Sequence, residues 1–454
     1  MKVQPDQLVE LTIENISHQG EGVAKLQGYT VFVPFAAPGD VVRAKVVSAK
    51  KDYARAVITE ILKYGQRVEP KCRWFQECGG CNLQHLDYNL QLAIKTETVK
   101  TTLQRIGGIS PEIVKDILPT QAWSYRNKLQ APVATYRGQL TAGLYKPRSH
   151  VLVPVTGCII QEDVNNQIAE QIGNIARETG VAPWSKDEKK GSLRHILIRT
   201  SQAKGQTLAA LVVSRFDFLN RERFLRVLRE RTNLHSLVLN ENPHPTNVIL
   251  GKREEIVWGP GYITDTIQGL DFKISAGSFW QVNRVGMAKI IRKVREYANL
   301  SQEETVLDLY CGTGSIGLCL AQEAAKIIGI ESNGRAIEDA RDNARMNGIV
   351  NAEFHAGRAE ALLPQMVTKG LKADVIILDP PRKGCEPSLL EATAKANPQR
   401  IVYVSCNPAT LARDLKLLAE LGYLAREVQP VDMFPQTSHV ECIILMTNSG
   451  LKGE

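Results

Sequence analysis

From about residue 300 the sequence becomes a regular alternation of short apolar runs and helix-length stretches. It reads ETVLDLY, a glycine turn and helix, KIIGIE, helix, AEFHAG, helix, ADVIILD, helix, RIVYVS, helix, and two closing strands. Strands that alternate with helices predict an α/β fold with a doubly wound parallel sheet, whose ligands bind outside the carboxyl ends of the strands. That rule gives meaning to Val404-Ser405-Cys406-Asn407-Pro408, where one cysteine stands between an apolar strand and the helix-like TLARDLKLLAELG. In isolation the stretch reads as a buried structural cysteine. At the carboxyl end of a strand it reads as a thiol at a ligand rim.

The first turn of the alternation, CGTGSIG at 311–317, spaces Gly312, Gly314 and Gly317 as G-x-G-x-x-G, with Asp308 just before it. Dinucleotide-binding and methyl-donor-binding sheets both need glycines where backbone approaches a ligand, so the turn alone does not choose between them. Glu331 does not choose either: it closes the second strand, where an acid accepts hydrogen bonds from ribose hydroxyls. The fourth strand discriminates. It ends in Asp379-Pro380-Pro381-Arg382-Lys383-Gly384, and an acid in a prolyl corner beside a reacting base is a feature of nucleic-acid methyltransferases. The bland reading of Asp379 is a turn-forming residue before two prolines.

Before the alternation, residues 5–63 intersperse β-branched runs (LVELTIENI, YTVFVPF, DVVRAKVVSA, YARAVITEIL) with turn clusters such as HQGEGVA and AAPGD. This predicts a small antiparallel OB-like barrel of about five strands, a form that grips single-stranded nucleic acid or serves a purely structural role. A cysteine-rich turn region follows, then LDYNLQLAIKTETVKTTLQRIGG, whose apolar residues recur at helical spacing and which ends on a Gly pair. Residues 115–270 read as mixed strands and helices. A chain of 454 residues is long enough for two or three domains with their own cores.

Charge is unevenly spread. Residues 1–100 hold 13 Lys/Arg and 11 Asp/Glu, residues 101–270 hold 22 and 15, and residues 271–454 hold 21 and 22. The basic excess sits in the middle, and solvated helix faces such as NRERFLRVLRERTN account for part of it, so charge alone is weak support for a polyanionic partner. Nine unevenly spaced cysteines argue for thiol chemistry or metal binding over a secreted disulfide framework. No apolar run reaches membrane-spanning length and MKVQPDQLVE lacks the apolar region of a signal peptide, so a cytoplasmic location without membrane contact is expected.

Taken together, DLYCGTGSIGL, DPPRKG and VSCNPATLARDL, with SFWQVN at 278–283 and HVECIILM at 439–446, resemble the RNA 5-methyluridine methyltransferase family, in particular its iron–sulfur ribosomal-RNA branch. The motifs come in the family's order, and the resemblance extends over the whole chain. It implies a TRAM-like, RNA-binding OB barrel over residues 1–66 and a central α+β domain with iron–sulfur cysteines over 67–270. A Rossmann-like S-adenosylmethionine methyltransferase domain over 271–454 completes the chain, and the helical segment at about 85–108 is available to pack on it.

The chemistry explains the residue types. Carbon 5 of uracil is too poor a nucleophile to take the methyl group of S-adenosylmethionine unaided. Addition of a thiolate to carbon 6 turns the ring into an enolate with electron density at carbon 5. The resemblance gives the thiolate to Cys406 and the later removal of the carbon 5 proton to Glu441. RNA cytosine-5 enzymes usually carry a second cysteine after their Asp/Pro motif and amino-group methyltransferases an aromatic residue, whereas this chain has Arg382.

As cofactor contacts the resemblance carries over Gln281, Tyr310, Glu331 and Asp379, although Tyr310 also reads as a core aromatic and Gln281 as a capping or surface residue. Ser315 and Arg358 depart from residues usual in relatives and are left out of the cofactor set. Cys72, Cys78 and Cys81, with Cys158 far downstream, offer four thiolates that suit either a [4Fe–4S] cluster or structural zinc, and the resemblance favours the cluster. Cys311, Cys319, Cys385 and Cys442 read as ordinary packing or surface cysteines. The implied reaction is methylation of carbon 5 of a uridine in RNA, with 23S ribosomal RNA the expected substrate and transfer RNA the alternative, and no obligate protein partner. A nicotinamide oxidoreductase would explain only the glycine turn; a non-catalytic RNA-binding protein would leave Cys406 without a purpose.

Overall fold

A computed structural model describes residues 3–185 and 188–450. Five strands, β1 (Leu8–Ile16), β2 (Glu21–Leu26), β3 (Tyr29–Pro34), β4 (Val41–Ala49) and β5 (Tyr53–Lys63), close into a barrel in the order β1-β2-β3-β5-β4. In β1 the alternation of LVELTIENI sends Val9, Leu11 and Ile13 inward while Leu8, Glu10 and Thr12 face out. The chain leaves the barrel under a fixed contact: buried Asp40 accepts from Arg67 Nη2 at 2.6 Å and from the backbone N–H of Ala37 at 2.7 Å.

After the cysteine turns, helix α1 (Tyr88–Gly107) starts at Asp87, whose carboxylate accepts from the N–H of Asn89, and stops at Gly108 in the left-handed region at φ 66°. Its buried Val99 and Leu103 join one core with Leu307, Ile376, Leu411 and Leu415 of the C-terminal part of the chain. The approach is close: a Cβ on Gly107 would lie 2.9 Å from the carbonyl oxygen of Ala412.

The middle of the chain contains β6 (Lys128–Tyr136), β7 (Gln139–Ala142), a small hairpin of β8 (Leu144–Tyr145) and β9 (Leu152–Val153), and helix α2 (Asp163–Thr179). Next come β10 (Leu193–Ser201), β11 (Gln206–Val213), α3 (Arg221–Arg231), β12 (Ser236–Glu241) and β13 (Arg253–Trp258). Six of these strands form a sheet in the order β13-β12-β11-β10-β6-β7. One face buries Ile196, Ile198, Ala209 and Leu211 against Ile168, Ile172, Phe224 and Leu228 of α2 and α3. The other face, through Leu197, Leu208, Ala210 and Val238, meets the hairpin β14 (Tyr262–Ile267) and β15 (Leu270–Ser275) together with Met287, Ile291 and Leu318. The expected junction at residue 270 therefore falls inside a hairpin that bridges two layers.

The remaining elements are α4 (Arg284–Ala298), β16 (Thr305–Leu309), α5 (Ser315–Leu320), β17 (Lys326–Glu331), α6 (Gly334–Met346), β18 (Ala352–Ala356), α7 (Ala359–Thr368), β19 (Val375–Leu378), α8 (Pro387–Lys395), β20 (Arg400–Ser405), α9 (Pro408–Glu420), β21 (Tyr423–Val431) and β22 (Glu441–Asn448). They build a seven-stranded sheet in the order β18-β17-β16-β19-β20-β22-β21, parallel except where β22 pairs antiparallel with both of its neighbours. The strand order reverses between β16 and β19, which is where a doubly wound sheet opens its ligand crevice. Among the described residues, no helix is long and apolar enough to cross a membrane.

Candidate active site and cysteine cavity

Tyr310, Asp379 and Cys406 each sit where a strand has just ended, whereas Gln281 precedes α4 and Glu441 opens β22. Tyr310 follows β16 and Asp379 follows β19; the two strands pair Leu309 with Leu378, so the two residues emerge side by side at the strand-order reversal. Tyr310 is held at φ +63°, an uncommon conformation for a bulky residue, and its hydroxyl donates to Glu360 at 2.9 Å. Gln281, Tyr310 and Asp379 line one narrow cleft with Phe279, Trp280, Asp308, Thr313 and Ser315.

The cleft is prepared for a polar, cationic occupant. Trp280 Nε1, Asp308 Oδ1 and Thr313 Oγ1 are buried without a hydrogen-bond partner, and all three residues line it. Burial raises Asp379 to about 7, and raises Asp308 to about 7 with the charges of Asp379 and Glu331 adding to the effect. Buried Asp308 and partly buried Asp379 in one cleft fit a ligand carrying positive charge, as S-adenosylmethionine does at its sulfonium and ammonium groups.

Glu331 stands apart from the other expected cofactor contacts. It lies outside the cleft lining, and its carboxylate accepts from the N–H groups of Gly312 at 3.3 Å and Asn333 at 2.7 Å. It shapes the glycine turn from the next strand and leaves the rim beyond that turn for a ligand. Sequence reasoning passed over Phe279, which is 67% exposed at the cleft, and Trp280 beside it. Both lie within the SFWQVN motif, so the signal was present. Arg358 stands at the N-cap position of α7 without a side-chain cap, and pairs with Glu386 at 3.0 Å and with Glu360 at 3.6 Å.

The turn that carries Cys406 is built by its neighbours. Asn407 caps α9 by accepting from the N–H of Ala409, Pro408 opens the helix, and Ser405 Oγ accepts from the N–H of Asn407 at 3.2 Å. Cys406 is thereby left between sheet and helix. The carbonyl of Arg382 accepts from Asn407 Nδ2 at 3.1 Å and Thr410 Oγ1 at 3.2 Å, which ties the DPPRKG corner to the same turn. The corner needs Gly384, at φ +75°, because a Cβ there would lie 2.5 Å from Asp414 Oδ2.

Glu441, the first residue of β22, is 4% exposed. Burial raises its carboxyl well above the usual range; Asp379 raises it further and Arg382 opposes the rise. Burial likewise pushes the Cys406 thiol to about 11, with Glu441 and Asp379 adding to the rise and Arg382 again opposing it. Cys406, Glu441, Asp379 and Arg382 thus share one electrostatic environment at the carboxyl edge of the sheet.

Cys72, Cys78, Cys81 and Cys158 line a second cavity, of about 270 Å³, together with Gln84, Arg126, Lys128 and Gln161. The cysteines feel one another: burial raises Cys81 to about 12, and the charges of Cys158, Cys78 and Cys72 contribute. The thiols are spread around the cavity; among the described residues, no three His, Cys, Asp or Glu side chains are gathered tightly enough to hold a single metal ion. Four thiols lining one cavity are a donor set that suits either a [4Fe–4S] cluster or a structural zinc. Cys311, Cys319, Cys385 and Cys442 are all buried, as packing residues.

With this geometry in view, residues 246–449 match the tRNA (Uracil-5-)-methyltransferase family and residues 2–59 match the TRAM domain. An uncharacterized RNA methyltransferase of Listeria monocytogenes is 42% identical over 445 residues, covering 98% of each chain. One from Clostridium tetani is 42% identical over 452 residues, covering 99% of this chain and 98% of its own. Among solved structures, the Pyrococcus abyssi tRNA (uracil-54, C5)-methyltransferase in complex with S-adenosyl-L-homocysteine superposes with a TM-score of 0.77 at 27% identity, covering 97% of this chain and all of that one.

Proposed function

This chain belongs to the S-adenosylmethionine-dependent RNA methyltransferases of the tRNA (uracil-5-)-methyltransferase family, and from that premise we propose that it methylates carbon 5 of a uridine through a covalent bond between Cys406 and carbon 6. The observation that carries the reading is the pairing of β20 with β22, which ends at Ser405 and Cys442 and leaves Cys406 and Glu441 in one electrostatic environment with Asp379 and Arg382.

S-adenosylmethionine, when bound, supplies an electrophilic methyl group on a sulfonium. Gln281, Tyr310 and Asp379 line the cleft that receives it, with the carboxyl of Asp379 compensating its positive charge. Glu331 contributes through the glycine turn. Cys406 adds to carbon 6 as the thiolate, and Arg382 lowers the cost of that charge. Once carbon 5 has taken the methyl group, Glu441 accepts its proton; a carboxylate whose pKa is raised by burial is a stronger base than an exposed one.

The RNA is gripped by the TRAM barrel, and the cysteine cavity would hold a [4Fe–4S] cluster through Cys72, Cys78, Cys81 and Cys158. Neither thiolate addition nor methyl transfer moves net electrons, so the cluster is architectural, joining the segment after the barrel to the central sheet. The substrate we favour is 23S ribosomal RNA. A transfer RNA is the second reading, supported by the likeness to the Pyrococcus abyssi tRNA (uracil-54, C5)-methyltransferase. Mapping 5-methyluridine in ribosomal and transfer RNA from cells with and without the gene separates them. Loss of a ribosomal site supports the first reading, loss of a transfer-RNA site the second, and loss of neither overturns uridine methylation.

A further inference from the structure

The link 432–440 leads from β21 into Glu441, and it takes many of its fixing hydrogen bonds from residues 82–125. Lys95 Nζ, almost fully buried, donates to Asp432 Oδ1 at 2.6 Å and to the carbonyl of Phe434 at 3.2 Å. Tyr125 OH donates to the carbonyl of Pro435 at 3.0 Å. Gln91 and Gln436 bond reciprocally: Gln91 Nε2 donates to Gln436 Oε1, and Gln436 N–H donates to Gln91 Oε1, both at 3.0 Å. Gln436 is buried at φ +70°, an unfavourable conformation for a side chain of its kind that surrounding contacts must enforce.

Asn82 completes the clamp from the residue directly after Cys81. Its N–H donates to the carbonyl of Gln436 at 3.1 Å, and its Oδ1 accepts from the N–H of Ser438 at 2.9 Å. Its Nδ2 donates to Ser438 Oγ at 3.2 Å and to the carbonyl of Gln19, in the barrel turn between β1 and β2, at 2.7 Å. The fit at that turn is tight, since a Cβ on Gly20 would lie 2.6 Å from the same Nδ2. One amide therefore holds the barrel, the cysteine segment and the approach to the proposed base in register.

We propose that Asn82 is a positioning residue for proton removal by Glu441: by fixing Ser438, three residues upstream, it sets the distance of the carboxylate from carbon 5 of the bound base. The inference rests on the reading of Cys406 and Glu441 given above. In the step concerned, the Glu441 carboxylate takes the carbon 5 proton, the C5–C6 double bond reforms, and the C6–S bond breaks with its electron pair returning to the Cys406 sulfur. Proton transfer needs heavy atoms within about 2.6–3.2 Å, and a misplacement of about 1 Å can cost about a hundredfold. Methyl transfer precedes this step and does not use Glu441. A loosened clamp should therefore stall release of the enzyme and leave methylation of the adduct intact.

The test uses the full chain, methyl-labelled S-adenosylmethionine, and total ribosomal and transfer RNA from cells lacking the gene. Asn82→Ala should bind S-adenosylmethionine within about twofold of wild type and transfer methyl normally in the first turnover. It should then lose about tenfold or more in steady-state rate while a labelled, denaturation-resistant protein–RNA species accumulates. Asn82→Asp keeps the acceptor for Ser438 N–H and loses both donations, so its adduct level should fall between wild type and alanine. It also carries the test if the alanine variant fails to fold. Wild-type turnover and adduct levels in the variants would overturn the proposal, as would a parallel loss of cofactor binding, first turnover and steady-state rate, which marks a merely structural role. If the wild-type enzyme forms no adduct with 5-fluorouridine-substituted RNA, the underlying reading fails first.

Discussion

Cys406 and Glu441 flank the last pair of an antiparallel ladder: β20 ends one residue before the cysteine, and β22 begins at the glutamate. That last pair is Ser405 with Cys442, and the two residues beyond it are close enough for the charge of Glu441 to raise the Cys406 thiol. A thiol and a carboxyl far apart in sequence thereby share one environment with Asp379 and Arg382.

Cys406→Ala is expected to abolish methyl transfer while leaving S-adenosylmethionine affinity nearly unchanged, because Cys406 lies outside the cleft lining. The intact enzyme should form a covalent adduct with 5-fluorouridine RNA, detected by gel shift under denaturing conditions. Substantial turnover by the alanine variant would refute the nucleophile.

Glu441→Gln keeps shape and hydrogen bonding but removes basicity. Addition and methyl transfer should proceed, release should stall, and a protein–RNA species carrying the methyl group should accumulate. Normal turnover by this variant would assign the proton to another residue.

The thiol at about 11 makes a further demand. Only the thiolate adds to carbon 6, and the thiolate fraction grows about tenfold per pH unit well below the pKa. Trapping of 5-fluorouridine RNA should therefore accelerate from about pH 7 to about pH 9, and Arg382→Met, which removes the opposing cation, should slow it at fixed pH. A flat profile would show that the free-enzyme thiol is not the titrating group.

Asp379 sets cofactor binding against stability. Burial raises it to about 7, so between its unfolded pKa near 3.9 and that value the folded state holds more protons than the unfolded state. Stability then falls as pH rises through this window, and the penalty is complete above it. Asp379→Asn should stabilise the ligand-free protein by about 1 kcal/mol or more at pH near 8, have little effect near pH 4, and weaken S-adenosylmethionine binding at least about tenfold. Thermal unfolding at the two pH values and equilibrium dialysis measure the two effects.

Anaerobically purified protein is expected to be brown and to contain iron and sulfide without stoichiometric zinc. Cys78→Ser should lose the colour and weaken binding to folded RNA, yet leave S-adenosylmethionine binding in place, since the cysteine cavity and the cofactor cleft share no lining residue. Colourless protein with one tightly held zinc would refute the cluster and leave the methyltransferase assignment standing.

The sequence by itself determined the parts of this protein that depend on local rules. Period-two alternation in LVELTIENI and its neighbours specified the barrel, and strand-helix alternation after residue 300 specified the parallel sheet, because burial of one face or of both is written into spacing. The same logic located Cys406: a strand end followed by Asn-Pro leaves its residue free of both ladder and helix. Tertiary structure alone decided the rest. That Glu331 serves the glycine turn, that Trp280, Asp308 and Thr313 hold unpartnered polar atoms in the cofactor cleft, and that α1 joins the C-terminal core all depend on side chains meeting across long loops. The clamp on 432–440 is the clearest case. Gln91 and Gln436, like Asn82 and Ser438, are ordinary polar residues that belong to none of the motifs, and their partners lie more than three hundred residues away. A hydrogen bond of that span leaves no periodicity in the chain; its two ends meet because α1 packs Val99 and Leu103 into the C-terminal core.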